Sequence, residues 1–210
     1  MSSKSGLILT VQSLGIRRSE RWLFRDLSFQ LSEGEAVQVV GQNGSGKTSL
    51  LRSLCGLLPH GEGEIDWREV DDLPTMPIFL GHLPAVKPEL SVFENLLYHP
   101  IGGEFMAETA ILDSIDEVLL SAYTDTPARH LSAGQTRRVG LARLLLAKTD
   151  CWVLDEPFTS LDVEGCAWLE LKISAFVKTG GSVLLTSHQP VNLESSPRIL
   201  EIKTEGSRLC

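Results

Sequence analysis

A glycine-rich turn between an apolar strand and a helix constrains this chain more than any other feature. Residues 41–48 read Gly-Gln-Asn-Gly-Ser-Gly-Lys-Thr, and the apolar stretch 36–40 precedes them. A buried strand that feeds such a turn points backbone N–H groups and the N-terminus of the next helix toward a polyphosphate. Lys47 is expected to reach the β- and γ-phosphates, and Thr48 to offer its hydroxyl to Mg²⁺. The alternative is a glycine-rich turn with a solvated lysine, which the flanking strand and helix disfavour.

The bulk composition is that of an ordinary globular protein, and it excludes some partners. The 210 residues suffice for one large domain, or for one domain with a small subdomain. The net charge of −8 argues against nucleic acid, because binding its phosphate backbone needs clustered Lys and Arg. No apolar run approaches the roughly 18 residues that cross a bilayer, and residues 1–11 are too weakly apolar for a secretion signal. We expect a cytoplasmic chain whose membrane association comes through a partner.

Strands and helices alternate along the chain. Period-two patterns in the first 35 residues predict β structure, and residues 84–130 have the helical spacing of a small insertion. The other predicted elements are helix 47–55, a turn at 61–64, strand 76–80, helix 134–148, strand 151–154, a helix containing 166–176 and strand 182–186. This alternation implies right-handed crossovers in a mainly parallel sheet, with ligands at the carboxyl ends of the strands. We expect a single domain over residues 1–210.

Two carboxylates end the predicted strand at 151–154. Asp155 and Glu156 directly follow its apolar residues, whereas acidic pairs are usually solvated surface charge. A carboxylate at the end of such a strand can bind Mg²⁺ beside Thr48, directly or through water. Its neighbour is then free to orient and polarise an attacking water. We therefore predict Asp155 as a metal ligand and Glu156 as the residue that acts on water.

A third motif, Leu-Ser-Ala-Gly-Gln at 131–135, introduces a helix. Ser132 alone would be interpreted as a helix N-cap, which does not account for the whole pentapeptide. With this motif the chain resembles the ATP-binding-cassette (ABC) ATPases, whose signature is Leu-Ser-Gly-Gly-Gln, and Ala133 is a small departure from it. All five motifs occur in the family's order: Walker A at 41–48, the signature at 131–135, Walker B at 151–156, the D-loop at 160–162 and the switch histidine at 188.

The resemblance implies an α/β fold of the P-loop NTPase type. An ABC nucleotide-binding domain has a mainly parallel core sheet, an antiparallel β subdomain and a small helical subdomain, here at approximately 84–130. In such proteins two copies pack head to tail, and each ATP lies between Walker A of one copy and the signature of the other. Glu156 would be the general base. His188 would hold the γ-phosphate and the attacking water, alongside Lys47.

The nucleotide and metal contacts that the resemblance implies follow from these motifs. The residues that would contact ATP are Gly41, Gln42, Asn43, Gly44, Ser45, Gly46, Lys47, Thr48, Ser49, Ser132, Gly134, Gln135 and Asp162. Ser132 and Gly134 would contact the γ-phosphate bound by the partner copy, and Asp162 would couple the two sites across the dimer. The Mg²⁺ ligands would be Thr48 and Asp155. The implied cofactors are ATP and Mg²⁺.

Two positions depart from the family pattern. One loop of the family normally offers a glutamine to Mg²⁺ and to the membrane partner, but Leu83 stands there. Leucine cannot ligate a metal, so His82 or water must substitute, or the coupling is modified. The aromatic residue that stacks on adenine falls near Arg17 and Arg18. An arginine plane can also stack on a base, and Trp22 is the alternative.

Within the ABC ATPases, two segments are similar to the CcmA family, the haem exporter ATPases of bacterial cytochrome c maturation. They are Gly-His-x4-Lys-x2-Leu-Ser-x2-Glu-Asn-Leu within 79–98, and the alanine-containing signature with its helix at 131–146. The resemblance implies a peripheral subunit on the cytoplasmic face of the bacterial inner membrane. Its partners would be a second copy of itself and CcmB-like and CcmC-like membrane subunits, with no nucleic acid. ATP hydrolysis would drive release of a haem-loaded periplasmic chaperone.

Three other functions stay open. One is a cassette for another substrate, such as a lipoprotein, metal or small metabolite. Another is a mechanical ATPase of DNA repair or translation, which the lack of a long coiled-coil insertion, a second cassette and a basic surface opposes. The third is a cassette that binds ATP as a switch without turnover. The presence of Lys47, Glu156 and His188 opposes this third function, and Leu83 favours it.

Overall fold

The computed structural model describes residues 6–71, 73–99 and 107–203. A three-stranded antiparallel sheet occupies the N-terminal part of the chain. Its strands are Leu7–Arg18 (β1), Arg21–Ser32 (β2) and Glu62–Trp67 (β4), with β1 in the centre. Leu9 pairs with Leu31 on one side and with Trp67 on the other. A short hairpin of Glu69–Val70 (β5) and Leu73–Pro74 (β6) follows this sheet.

The turn predicted at 61–64 is wrong, because residues 62–64 belong to β4. Glu62 pairs with Gly15, and Glu64 pairs with Gln12 of β1. Gly63 lies between them at φ +87°, where the register with β1 shifts. The segment has the glycine and charge content of a turn, but a strand distant in sequence supplies its hydrogen-bond partners.

A five-stranded parallel sheet forms the centre of the molecule. Its strands are Ala36–Val40 (β3), Ile78–Leu80 (β7), Cys151–Leu154 (β8), Ser182–Thr186 (β9) and Arg198–Glu201 (β10). Their order across the sheet is β10-β3-β9-β8-β7. The three central strands are almost wholly buried, as expected of a parallel sheet covered on both faces. The mainly parallel sheet is thus confirmed, while the exposed edge strand β10 was not predicted.

Helices pack on the sheet and form a separate cluster beside it. The helices are Lys47–Leu54 (α1), Val92–Leu97 (α2), Glu108–Glu117 (α3), Ala133–Leu146 (α4) and Val163–Lys178 (α5), with short 3₁₀ turns at Ser121–Tyr123 and Ala128–His130. The helical insertion predicted at 84–130 contains α2 and α3, and its residues 100–106 lie outside the described part. In the described ranges of the chain, no helix has the length and apolar character needed to cross a membrane.

Helix α4 belongs to two hydrophobic cores at once. Leu141 and Leu144 pack into the core between the sheet and α5. Val139, Ala142 and Leu146 pack against α2 and α3. The residues of this helix are therefore buried around most of its circumference. A helix held on both sides can position side chains at its N-terminal end rigidly with respect to the sheet.

The carboxyl ends of three central strands meet at one edge of the sheet. β3 ends at Val40, β8 at Leu154 and β9 at Thr186. Because these strands are parallel neighbours, the segments that follow them emerge side by side. The fold thereby brings the glycine-rich turn, the acidic pair and the segment containing His188 to a common edge.

Candidate functional site

The glycine-rich turn between β3 and α1 has a backbone that side chains would hinder. Gly44 and Gly46 have φ angles of +80° and +103°, in the left-handed region that glycine adopts without strain. A Cβ on Gly46 would lie 3.1 Å from Cβ of Leu23 and 3.2 Å from Cδ1 of Phe24. The first turn of α1 carries no acidic residue, and no side chain caps it. Its N–H groups and helix dipole therefore favour an anion.

Lys47 folds back over this turn. Its Nζ donates hydrogen bonds to the carbonyl oxygens of Gly41 at 2.9 Å and Gln42 at 3.3 Å. The hydroxyl of Ser45 is buried beneath the turn without a described hydrogen-bond partner. Lys47 supplies the charge that a polyphosphate needs, and an incoming phosphate oxygen can replace either carbonyl as its partner.

The two predicted metal ligands are in direct contact. Thr48 donates through Oγ1 to Oδ1 of Asp155 at 3.1 Å, although 107 positions separate them in sequence. Thr186 also donates to Oδ1 of Asp155, at 2.9 Å. Asp155 is buried, with 2% of its surface exposed. Hydroxyl and carboxylate oxygens beside a phosphate turn form the donor set that Mg²⁺ prefers, so these residues fit the ion.

Glu156 and His188 face each other next to this pair. His188 donates its backbone N–H to Oε2 of Glu156 at 3.2 Å, and its Nε2 lies 3.5 Å from Oε1. That Oε1 is buried and has no described hydrogen bond. The backbone of Glu156 lies in the left-handed region at φ +50°, and its N–H donates to Oγ1 of Thr186 at 2.9 Å. A carboxylate oxygen with a free lone pair is thus held beside a histidine.

These groups share one cavity of about 790 Å³, a size that accommodates a nucleotide. Among its lining residues are Asn43, Gly44, Gly46, Lys47, Thr48, Ser49, Asp155, Glu156 and His188. Arg17 and Arg18 also line it, whereas Trp22 does not, and the guanidinium carbon of Arg25 lies 4.7 Å from the Trp22 ring centroid. The geometry therefore favours the two arginines over Trp22 as the residues near a base.

The loop after β7 places its two residues of interest in different surroundings. His82 lines the 790 Å³ cavity together with Glu156 and His188. Leu83 is 79% exposed and borders a separate cavity of about 110 Å³ beside Gly140. The chain thus presents an imidazole, and no glutamine, to the cavity from this loop.

The signature motif forms the start of α4. Ser132 accepts a hydrogen bond from the N–H of Gln135 at 3.2 Å, and its own N–H donates to Oε1 of Gln135 at 2.8 Å. This reciprocal capping box uses both side chains to begin the helix. Gly134 lies against the D-loop, because a Cβ on it would be 2.8 Å from the carbonyl oxygen of Ser160. The motif and the D-loop are therefore packed together within one chain.

Asp162 of the D-loop begins α5. Its Oδ1 accepts hydrogen bonds from the N–H of Gly165 and from Nη2 of Arg138, both at 2.9 Å. The N–H of Gly165 first, and then Arg138, lower the pKa of Asp162 below its usual value. Ser132, Gly134, Gln135 and Asp162 line a second cavity of about 470 Å³ that shares no lining residue with the first. Most of the predicted ATP contacts therefore fall into two separate sets on one chain, whereas Gly41, Gln42 and Ser45 of the glycine-rich turn line neither cavity.

Two residues of the first site were not predicted from the sequence. Thr186 joins Asp155 to the backbone of Glu156 through a single hydroxyl. Arg137, 2% exposed, extends from α4 to the carbonyl groups around the acidic pair. The sequence signal that could have identified Arg137 was its place among the residues of a core helix, one turn before Gly140. A charged residue is rarely buried there unless it has polar partners.

The class of protein follows from this fold and site together with a family model. The model described as ABC transporter matches residues 24–159, so the chain belongs to the ABC transporter family and carries its ATPase domain. The fold is also that of solved ABC structures. An ABC transporter ATP-binding protein from Pyrococcus furiosus has a TM-score of 0.78 at 24% identity, covering 92% of this chain and 96% of that one. A dimeric ATP-binding cassette bound to ADP and Pi has a TM-score of 0.77 at 20% identity, covering 95% and 97%.

Curated relatives narrow the class further. The chain is 43% identical over 193 residues to the cytochrome c biogenesis ATP-binding export protein CcmA of Dechloromonas aromatica, covering 89% of this chain and 95% of the relative. The CcmA proteins of Aliivibrio fischeri and Salmonella typhi are 42% and 44% identical, covering 90% and 88% of this chain and 96% and 91% of theirs. The CcmA-like ABC subunit predicted from the motifs is thereby confirmed.

Proposed function

We propose that this chain is the ATP-hydrolysing subunit of a membrane complex for haem export and cytochrome c biogenesis. It acts at the cytoplasmic face of the bacterial inner membrane, where ATP hydrolysis drives release of a haem-loaded chaperone. The observation that carries this proposal is the identity of 42–44% to CcmA proteins over most of both chains. The assembled cavity, with every expected catalytic group on its wall, supports turnover over a role as a passive switch.

The residues of the first cavity divide the hydrolytic work. Lys47 and the N–H groups of the turn bind the β- and γ-phosphates, and Thr48 and Asp155 hold Mg²⁺. Bound Mg²⁺ supplies positive charge to the phosphate oxygens. Glu156 lines this cavity and accepts a proton from the attacking water through its carboxylate, whose Oε1 is the oxygen nearer to Nε2 of His188. His188 stands 3.5 Å from that oxygen and orients the water toward the γ-phosphate.

The second cavity serves the partner copy. Ser132, Gly134 and Gln135 lie away from the chain's own phosphate turn, so they complete an ATP site only when another copy packs head to tail. Asp162 lies in the same cavity and links the two sites. Dimerisation and membrane partners are general features of this family. The finer proposal is that the membrane partners are CcmB-like and CcmC-like subunits, and that all membrane contact passes through them.

The Glu156→Gln variant tests this proposal. Removing the carboxylate should lower the hydrolysis rate by about 10²-fold or more while ATP stays bound. We would purify this variant with ATP from gently solubilised membranes of its own host and identify the co-purifying proteins by mass spectrometry. Glu69→Gln, on the exposed β5–β6 hairpin, is the matched control for loss of one carboxylate.

Each outcome of this purification decides a different part of the proposal. Recovery of cytochrome c maturation membrane proteins supports the haem function. A different permease would keep the ATPase mechanism and replace the substrate by another, such as a lipoprotein, a metal or a small metabolite. Undiminished hydrolysis by Glu156→Gln would remove Glu156 as the base.

A further inference from the structure

Arg137 does not line the first cavity, but it holds two segments that contribute residues to the wall of that cavity. Its guanidinium makes five hydrogen bonds, all to backbone carbonyl oxygens. Nε donates to Pro157 at 3.1 Å, Nη1 to Gly81 at 2.8 Å and His82 at 3.2 Å, and Nη2 to Glu156 at 2.7 Å and Asp155 at 3.3 Å. Gly81 and His82 follow β7, whereas the other three acceptors follow β8. One side chain of α4 therefore holds both segments in a fixed relation.

The peptide groups of Glu156 need such support. A non-glycine residue at φ +50° is strained, and it persists only where its surroundings over-determine the conformation. The N–H of Glu156 is held by Thr186 at 2.9 Å, and its carbonyl oxygen is held by Arg137 at 2.7 Å. The direction of the Glu156 side chain follows from this backbone conformation. Both hydrogen bonds therefore contribute to aiming the carboxylate at the cavity.

Burial strengthens this arrangement. Arg137 is only 2% exposed, and desolvation lowers its pKa to about 10, opposed by the charges of Asp155 and Glu156. The guanidinium thus stays protonated at neutral pH. Its donors form a planar fork with fixed directions, which suits several carbonyl acceptors at once. A lysine at the same position would carry the charge on one nitrogen and could not reach both segments.

We propose that Arg137 is a positioning residue for ATP hydrolysis. Its guanidinium fixes the strained backbone of Glu156 relative to the Gly81–His82 segment, and so aims the Glu156 carboxylate at the attacking water. Arg137 itself touches neither water nor phosphate. The inference rests on the proposed role of Glu156 as general base.

Arg143 provides a matched control on the same helix. It is also buried, with 4% exposed, and burial lowers its pKa to about 10. Its guanidinium donates to the carbonyl oxygens of Pro84 at 2.6 Å and Ala85 at 3.2 Å, and neither residue lines the first cavity. Replacing either arginine by lysine removes a buried fork from α4, but only Arg137→Lys releases the backbone of Glu156.

The test compares three single variants, Arg137→Lys, Arg143→Lys and Glu156→Gln. It also includes two double variants, in which each lysine substitution is combined with Glu156→Gln. The full chain is assayed both alone and with the membrane subunits that co-purify with it, for Tm, ATP affinity, KM and kcat. We expect both lysine variants to lower Tm, Arg137→Lys by more, because it removes five hydrogen bonds and Arg143→Lys removes two. Arg137→Lys should lower kcat at least about tenfold with KM and ATP affinity within about twofold, since misaligned catalytic groups slow the chemical step. Arg143→Lys should keep kcat within about twofold.

The combined variants separate positioning from general structural damage. If Arg137 acts through Glu156, adding Arg137→Lys to Glu156→Gln leaves single-turnover hydrolysis unchanged, because the residue being aimed is already absent. A further tenfold loss in that background, or equal kcat losses from both lysine variants, would overturn the inference. If Glu156→Gln hydrolyses ATP as the unmodified chain does, the proposed base itself is wrong.

A second variant pair keeps the inference testable if Arg137→Lys does not fold. Thr186 holds the N–H of Glu156, on the other side of that residue from the carbonyl held by Arg137, so Thr186→Val should lower kcat while Thr186→Ser, which keeps the hydroxyl, retains it. Full kcat in Thr186→Val would show that the backbone of Glu156 needs no such support, and the inference would fail.

Discussion

At the scale of single residues, the site depends on hydrogen bonds between groups far apart in sequence. The hydroxyl of Thr186 alone links the side chain of Asp155 to the backbone of Glu156. Each such contact keeps a polar group satisfied in a buried place, where an unpaired group would cost about 1–3 kcal/mol. A buried ionisable group that lacks such a hydrogen bond shifts its pKa so that its neutral form is favoured.

His99 is such a residue, and it predicts a pH dependence of stability. Burial and the neighbouring Arg143 lower the pKa of His99 to about 4, and its Nδ1 has no described hydrogen bond. As the pH falls from about 6.5 to about 4, His99 is protonated in the unfolded chain but remains neutral in the folded chain. Proton binding therefore favours the unfolded state, and the free energy of unfolding falls across this window. The loss should be about 1 kcal/mol after allowance for the partial exposure of the ring.

Denaturant titrations between pH 7 and pH 4 measure this effect. His99→Gln should show a smaller fall in stability than the unmodified chain, because it has nothing to protonate at this position. His60→Gln, at an exposed residue, is the control and should follow the unmodified chain. Equal pH dependence in all three proteins would contradict the assignment to His99.

At the scale of elements, α4 and the loop after β7 decide how the cavity is connected to the rest of the molecule. α4 packs in two cores, begins with the signature and carries Arg137. The loop after β7 turns His82 toward the cavity and leaves Leu83 79% exposed. An exposed leucine at that place suits a protein contact better than a metal contact.

This loop geometry predicts that His82, and not Leu83, matters for hydrolysis. His82→Ala should lower kcat about tenfold or more, since the imidazole faces the same cavity as Glu156 and His188. Leu83→Gln should leave the kcat of the isolated chain within about twofold, because its side chain lies outside that cavity. Steady-state ATPase assays measure both. A large rise in kcat for Leu83→Gln would instead identify Leu83 as a degraded catalytic position.

At the scale of the whole molecule, one chain carries two groups of predicted ATP contacts, proposed as two halves of a site, and they line different cavities. The phosphate turn and the acidic pair line the first cavity, and the signature and Asp162 line the second. A head-to-tail pair of copies would combine the first half of each with the second half of the other, as expected for closed two-fold symmetry.

Complementation between two inactive variants tests this composite site. Lys47→Ala disables the phosphate turn, and Ser132→Asp disables the signature with a negative charge while keeping a residue that can cap α4. Each variant alone should be inactive. Co-expressed, they form mixed dimers with one intact site of two, so dimers isolated through both tags should have about half of the unmodified activity, and the unsorted mixture about a quarter under random pairing. ATPase activity of the doubly tagged dimers measures this, and no recovery would contradict a site shared between copies.

Local patterns in the sequence determined much of the fold and of the first site. The run at 36–48 defined a strand, a turn and a helix, because glycine placement and apolar periodicity act within a few residues. A helix containing 166–176, which the structure extends to 163–178, and the strand at 182–186 were predicted for the same reason. The strand at 62–67 and the edge strand at 198–201 were not predicted, since neither is a buried apolar run of the kind that marks the central strands.

The sequence by itself determined the class of protein, the phosphate turn and the carboxylates beside it. Only the tertiary structure decided how they are held. It buries Arg137 among five carbonyl oxygens, sets Thr186 against the acidic pair and places His82, and not Leu83, on the wall of the first cavity. These contacts join segments tens of residues apart, and their geometry depends on strand order and on the packing of α4. No local pattern of residues encodes such distances, because burial and direction exist only once the chain has folded.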